Sequence, residues 1–295
     1  MATLRELKGR ISSVASSEKI TGAMKMISSA KMHKAEQAWR RLKPYRSQVE
    51  EIIGSLLSTD AEFSSPLIEP REVRHLTLVA FGSDDGLCGA YNVNLFKQLL
   101  GHLAQYRTTY GDGLRVTVIP VGRKMAKAVS KIAGHNGVDM RVIEGVDSKT
   151  AADGVRVFVD TLRDEFVKGR TDRVDMLYMN FITAGRQRPM LEQLLPVSSD
   201  TFKAEGVRQD NRPCLFEPDA NTIFRTVLPM FLLSVMQDVF IENRASEQAA
   251  RVMAMQSAND NAKKLLDDLR LEYNKLRQQS ITAELLDILG GQTRD

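Results

Sequence analysis

The side chains best equipped for chemistry lie together in one loop. Gly82-Ser83-Asp84-Asp85-Gly86-Leu87-Cys88-Gly89 places two carboxylates and a thiol among glycines, directly after an apolar run. A nucleotide-binding α/β fold keeps its phosphate loop at that point. The spacing fits neither G-x-G-x-x-G nor G-x-x-x-x-G-K-[ST], so the segment reads as a structural turn. Asp84 and Asp85 read as turn formers that keep the loop soluble, not as an acid/base pair. No histidine lies beside Cys88 to activate it, and it reads as a small buried hydrophobe. The four histidines, His33, His75, His102 and His135, are scattered, and neither C-x-x-C nor H-E-x-x-H occurs, which leaves no metal-ligand spacing. No catalytic residue, cofactor or metal is therefore expected.

The elements around this loop are unusual in length. From Asn221 to Leu289 there is no glycine and one proline, Pro229, and good helix formers dominate. Pro218-Asp219 gives a start signal and Gly290-Gly291 a stop. A helix of ~70 residues is a rod of roughly 100 Å. Its apolar residues recur at spacings of four and three: Phe224, Leu228, Phe231 and Val235; Ala245, Ala249 and Val252; Ala262, Leu266, Leu269, Tyr273 and Leu276. This is a coiled-coil seam. Gln256 and Asn259 interrupt it and shift its phase.

The partner helix is expected at the other end of the chain, over residues 3 to about 57, a rod of ~80 Å. Leu4, Leu7, Ile11 and Val14 begin its stripe; Ile20, Met24 and Ile27 continue it after a shift; Leu42, Tyr45, Val49, Ile52 and Leu56 finish it. Pro44 should bend this helix without ending it, because the apolar spacing persists on both sides. The two seams are expected to pair as an antiparallel coiled coil. Up to Arg46 the N-terminal rod carries eleven Lys and Arg against three Glu, a face drawn to acidic surfaces of protein, lipid or phosphate backbone. Between Ser12 and Ala30 it is also rich in Ser, Ala, Thr and Gly, which makes a slim cylinder.

Between the rods, strand and helix alternate. Strands are expected at 75–81, 114–121, 139–144, 174–182 and 190–197, the last two as a hairpin around Gly185, and helices at 94–107, 124–133 and 150–168. The fold class is thus α/β: a Rossmann-like domain over 72–205 with a mostly parallel sheet covered on both faces, flanked by coiled-coil helices over 1–60 and 218–289. Residues 203–213 read as an exposed loop. Cys88 and Cys214 lie far apart in a chain whose first residues run straight into helix, so reduced thiols in a cytosolic compartment are expected. No apolar run near the ~18 residues of a membrane span is apparent.

Several stretches resemble the gamma subunit of F-type ATP synthases. In the first helix they are Ile11-Ser12-Ser13-Val14 and Glu18-Lys19-Ile20-Thr21-Gly22-Ala23-Met24-Lys25-Met26; in the middle domain, Gly86-Leu87-Cys88-Gly89-Ala90-Tyr91-Asn92. In the last helix they are Ala245-Ser246-Glu247-Gln248-Ala249-Ala250-Arg251, Tyr273-Asn274-Lys275-Leu276-Arg277-Gln278 and Ile281-Thr282-Ala283-Glu284-Leu285-Leu286-Asp287. The likeness spans the chain in order and departs from the family at Gly22, Asp85 and Gly291.

The resemblance implies a non-catalytic central stalk, or rotor, that couples proton flow through the membrane sector to conformational cycling of the catalytic beta subunits. The implied partners are the alpha and beta subunits, the epsilon subunit and the c-ring, with the complex peripheral at the cytoplasmic face of a bacterial inner membrane. It implies contacts to the catalytic subunits at Met24, Lys25, Arg251, Gln278, Thr282 and Glu284, and a c-ring side at 203–212. For Arg251 the alternative is an intramolecular pair with Glu247. Composition alone leaves open a basic coiled-coil protein that binds nucleic acid, or a Rossmann enzyme with helical arms.

Overall fold

The computed structural model describes residues 3–57, 63–111, 113–135, 137–198 and 217–291, of which 287–291 as backbone only. The loop expected at 203–213 lies outside the described residues. Two long helices bracket the chain, α1 (Leu4–Leu57) and α5 (Ala220–Gly291). Local chemistry sets where each begins. Thr3 and Glu6 form a reciprocal capping box at α1: the Thr3 backbone N–H donates to the Glu6 carboxylate at 2.8 Å and the Glu6 N–H to Thr3 Oγ1 at 3.3 Å. At α5, Asp219 accepts from both the backbone and the hydroxyl of Thr222, at 2.8 and 2.6 Å. These bonds hold the Asp219 carboxyl below its ordinary range. Pro44 lies inside α1 and Pro229 inside α5, and neither ends its helix.

Eight further elements lie between them: β1 (His75–Phe81), α2 (Tyr91–Tyr110), β2 (Arg115–Val121), α3 (Arg123–Val129), β3 (Val138–Met140), α4 (Ala152–Val167), β4 (Arg173–Thr183) and β5 (Arg186–Leu195). They form one sheet of order β3-β2-β1-β4-β5. Its first four strands are parallel and β5 is joined to β4 as an antiparallel hairpin. The alternation of side chains along each strand sorts it between two cores. Leu76, Leu78 and Ala80 of β1 pack with α2 and α3, whereas Val79 and Phe81 face α4, the end of α1 and the start of α5. The mostly parallel sheet with both faces covered is as expected. The third strand, expected over 139–144, spans only Val138–Met140, paired with Val116–Val118 of β2.

By packing, the chain divides into two compact units, Ala30–Ala250 and Met1–Ser29 with Arg251–Asp295. Within the larger unit α1 and α5 run antiparallel: Arg46 pairs with Asp238, and Ser64, just beyond α1, bonds with Asn221 and Arg225. The expected seam Phe224, Leu228, Phe231 and Val235 is fully buried here. On α1 the buried apolar side chains are Met32, Ala35, Val49, Ile53 and Leu56, while the expected Tyr45 and Ile52 point to solvent. One 18-residue window of α5 reaches a mean hydropathy of 1.4, so an apolar run of membrane-spanning length does exist, contrary to the sequence reading. That window is 56% buried inside the protein, where it packs as a core helix.

The smaller unit pairs the start of α1 with the second half of α5.

 

Its seam is apolar at Leu7, Met255, Leu266 and Leu269, with Ile11, Val14, Tyr273 and Leu276 half-buried beside them. The sequence reading carried this stripe through Ile20, Met24 and Ile27. Instead Ile20 and Ile27 are 59% and 56% exposed and Met24 is half-buried. The displacement has a polar cause. Asn259 Nδ2 donates to the Glu18 carbonyl at 2.7 Å and to Thr21 Oγ1 at 3.3 Å, so the α1 face bearing Glu18, Thr21, Gly22 and Ser28 turns inward. Gly22 makes the approach possible, since a Cβ there would sit 3.3 Å from Asn259 Nδ2.

Candidate functional site

The loop after β1 holds the first candidate chemistry, and its groups are all engaged. Asp84 is buried, not a solubilising loop residue as its sequence suggested. Its carboxylate accepts from Ser148 Oγ at 2.6 Å, from the Ser148 backbone N–H at 3.2 Å and from the Arg123 N–H at the start of α3 at 3.0 Å. Asp85 pairs with Arg123 and Lys149, and the pair with Asp85 raises the Lys149 pKa. Cys88 is buried, as expected, and its Sγ accepts from Asn92 Nδ2 at 3.3 Å. The neighbouring Gly122 has φ +101°, and a Cβ there would come within 3.0 Å of the Gly82 and Ser83 backbone. This loop is a clasp between strand ends.

In an open α/β sheet ligands bind where the strand order reverses, beyond the carboxyl ends of the strands. Here that crevice lies between β1 and β4, and α5 fills it. Asn243 accepts from Tyr91 Oη at 2.6 Å and from the Met179 N–H at 3.4 Å, and donates to the Gly82 carbonyl at 3.3 Å. Ser246 Oγ donates to the Met179 carbonyl at 2.9 Å. The chain's own helix thus takes the donors and acceptors that a nucleotide would need, which disfavours the Rossmann-enzyme reading.

One charged cluster escaped the sequence reading. Arg46 of α1 reaches Asp238 of α5 at 2.6 Å, Glu50 at 2.8 Å and Glu192 of β5 at 3.7 Å. Burial opposes the Arg46 charge, but the bond to Glu50 and the charges of Asp238 and Glu192 outweigh it and raise the pKa. Glu242, one turn after Asp238, is 7% exposed and receives the neutral Asn180 amide at 3.0 Å. Burial, reinforced by the Asp238 charge, pushes Glu242 up to about 7. The signal in the sequence was the spacing of Asp238, Glu242 and Ser246, polar residues four apart within an apolar helix face.

The residues named as contacts do not form one cluster. Met24 and Lys25 lie half-buried on α1. Gln278, Thr282 and Glu284 are exposed on α5, and Thr282 Oγ1 bonds back to the Gln278 carbonyl at 2.9 Å. Arg251 differs from them, being 5% exposed and engaged within the chain.

The family profile described as ATP synthase matches residues 3–293. ATP synthase gamma chains are similar along the whole chain: that of Phocaeicola vulgatus is 39% identical and that of Bacteroides thetaiotaomicron 37%, each covering 99% of both chains. The gamma chain of Cupriavidus pinatubonensis is 34% identical over 99% of both. Among solved structures, a chain of the Euglena gracilis mitochondrial ATP synthase, from an assembly of OSCP, F1 and c-ring, aligns with a TM-score of 0.64 at 22% identity. That alignment covers 98% of this chain and 93% of the other. A chain of the Tetrahymena thermophila central stalk and c-ring aligns with a TM-score of 0.57 at 20% identity, over 81% and 99% of the two chains. The nucleic-acid reading finds no support among these relatives. The chain belongs to the ATP synthase gamma-chain family.

Proposed function

We propose that this chain is the central stalk of a rotary ATP synthase, a rotor that transmits torque between a proton-driven membrane sector and catalytic beta subunits. It makes and breaks no covalent bond itself. The observation that carries the reading is the surface of the smaller unit. Ile20, Met26 and Ile27 on α1, and Met253, Leu265, Leu271, Ile281, Leu285 and Leu286 on α5, are all exposed. Apolar side chains in such number on a two-helix rod call for a protein sleeve. In this reading the sleeve is the ring of alpha and beta subunits. Met24, Lys25, Arg251, Gln278, Thr282 and Glu284, all of this unit, meet it.

A rotor acts only through differences. Each beta subunit changes its nucleotide affinity because it meets a different face of the shaft, and contact that is equal in all orientations would shift no population. The uneven distribution of charge and apolar surface on α1 and α5 supplies that difference. The other partners in this reading are the epsilon subunit and the c-ring, with the complex peripheral at the cytoplasmic face of a bacterial inner membrane. The test is reconstitution of the membrane complex with and without this chain. Proton pumping driven by ATP hydrolysis is expected only when it is present, and coupled pumping in its absence refutes the proposal.

A further inference from the structure

We propose that the larger unit carries a binding groove for a single-chain amphiphilic anion, a fatty-acid carboxylate, between α1, α5 and the start of α4. The groove begins with residue size and spacing. Lys31, Lys34, Ala35, Ala38, Arg41 and Leu42 recur at intervals of three and four and share one face of α1. Gln237, Ile241, Arg244 and Gln248 do the same on α5 and line the same space. Ala35 and Ala38 have no side chain long enough to fill it. What they leave is two adjoining cavities of about 460 and 290 Å³, which share Ala38, Ile241 and Arg244. The larger one is of the size that takes a small molecule, roughly 300–1,000 Å³.

The lining is two-sided. Leu42, Val155, Phe240 and Ile241 make an apolar floor, with Val155 and Phe240 buried and the other two half-buried. Around it stand Lys31, Lys34, Arg41, Lys149 and Arg244, and no Asp or Glu lines either cavity. Lys149 is matched by Asp85 at 2.9 Å. Among the described residues the other four cations form no ion pair. Arg244 is the one held in place: its Nε and Nη2 each donate to the Ser148 carbonyl at 3.2 Å, and Nη2 also reaches the Thr150 carbonyl at 3.4 Å. These bonds orient the guanidinium without cancelling its charge, so a half-buried cation stands where the two cavities meet.

Charge and floor together select the occupant. A small inorganic anion would match the cations and leave the floor wet, whereas a neutral hydrocarbon would cover the floor and leave the cations unmatched. A carboxylate on a hydrocarbon tail satisfies both, and its two oxygens fit the planar fork of a guanidinium. An acidic peptide would match the rim but brings no chain to fill the floor. The site stands apart from the rotor reading, because every residue in it belongs to the larger unit and the sleeve contacts belong to the smaller.

The test is titration calorimetry of the full-length chain with dodecanoate below its micellar concentration, joined to amide exchange. Dodecanoate should fill one saturable site and protect the peptides covering 30–42 and 236–248. Acetate, the head without the tail, and dodecyltrimethylammonium, the tail with the opposite charge, should not. Octanoate, with its shorter tail, should bind at least about tenfold more weakly. Ala38→Leu, at an exposed position of α1, fills the groove and should abolish both the heat and the protection. Arg41→Gln with Arg244→Gln should weaken binding about tenfold. Absence of saturable binding, equal binding of the cationic amphiphile, binding unmoved by Ala38→Leu, or protection confined to other segments overturns the proposal. So does a polyglutamate peptide that protects the same two segments and is not displaced by dodecanoate, since the groove would then serve an acidic protein.

Discussion

The contact of Gly22 with Asn259 gives a prediction with a definite size. In an open helix face Gly→Ala stabilises by about 1 kcal/mol, because alanine has less backbone entropy to lose. At position 22 the new methyl would stand 3.3 Å from Asn259 Nδ2, so the amide must give by a few tenths of an ångström. Lengthening the 2.7 Å bond to the Glu18 carbonyl offsets that gain by up to about 1 kcal/mol, so Gly22→Ala alone should stabilise by less than in an open face. Asn259→Ala alone should cost about 1–3 kcal/mol for its two bonds. With Asn259 already replaced, Gly22→Ala should recover its full helix gain. The double-mutant cycle should therefore show a coupling of about 1 kcal/mol, against the 0.3–0.5 kcal/mol scatter of independent sites. Amide exchange of the peptides covering 12–28 and 252–270, measured by mass spectrometry in the full chain, reads it as about a fivefold change in protection. Additive effects would refute the seam geometry.

Three further outcomes follow from the same structure. Asn243→Ala removes the plug of the β1/β4 crevice; part of the loss is recovered because Tyr91 Oη also reaches the Asn243 carbonyl at 3.2 Å, so urea unfolding followed by Trp39 should show a drop of about 1–3 kcal/mol. Glu242 has its pKa raised from 4.5 to about 7. The folded protein therefore holds a proton that the unfolded chain releases, stability falls as pH rises from 4.5 to about 7, and this part of the slope should be lost in Glu242→Gln. Met24→Lys places a charge on a half-buried face of α1; coupling of ATP hydrolysis to proton pumping in the reconstituted complex should fall while the circular dichroism of the isolated chain stays the same, and an equally coupled variant would remove Met24 from the contact surface.

The legible parts of this chain were those in which one residue property repeats. Helix formers without glycine marked α5 to within two residues of its ends, and alternating apolar runs marked every strand of the sheet and its hairpin. Seam phase was less legible. A heptad pattern read from hydrophobicity puts Ile20 and Ile27 inside, yet a buried Asn259 can turn a helix so that its smallest residues face the partner. The interior polar groups were legible least of all. Asp84, Asn243 and Glu242 are polar letters in turn or helix contexts that normally meet water, and only the tertiary arrangement supplies Ser148, Tyr91 and Asn180 as their partners. Arg251, named from resemblance as a contact to the catalytic subunits with an intramolecular pair as the alternative, is buried and engaged within the chain, and its sequence motif carries no information about exposure.

Rotation is the claim on which the rest depends. The direct measurement fixes the alpha and beta subunits to a surface and attaches a bead to this chain through a cysteine introduced at Val157, an exposed position on α4. On addition of ATP the account predicts that the bead turns stepwise in one direction and halts when ATP is exhausted. A bead that stays still while the same complexes hydrolyse ATP at full rate would contradict it.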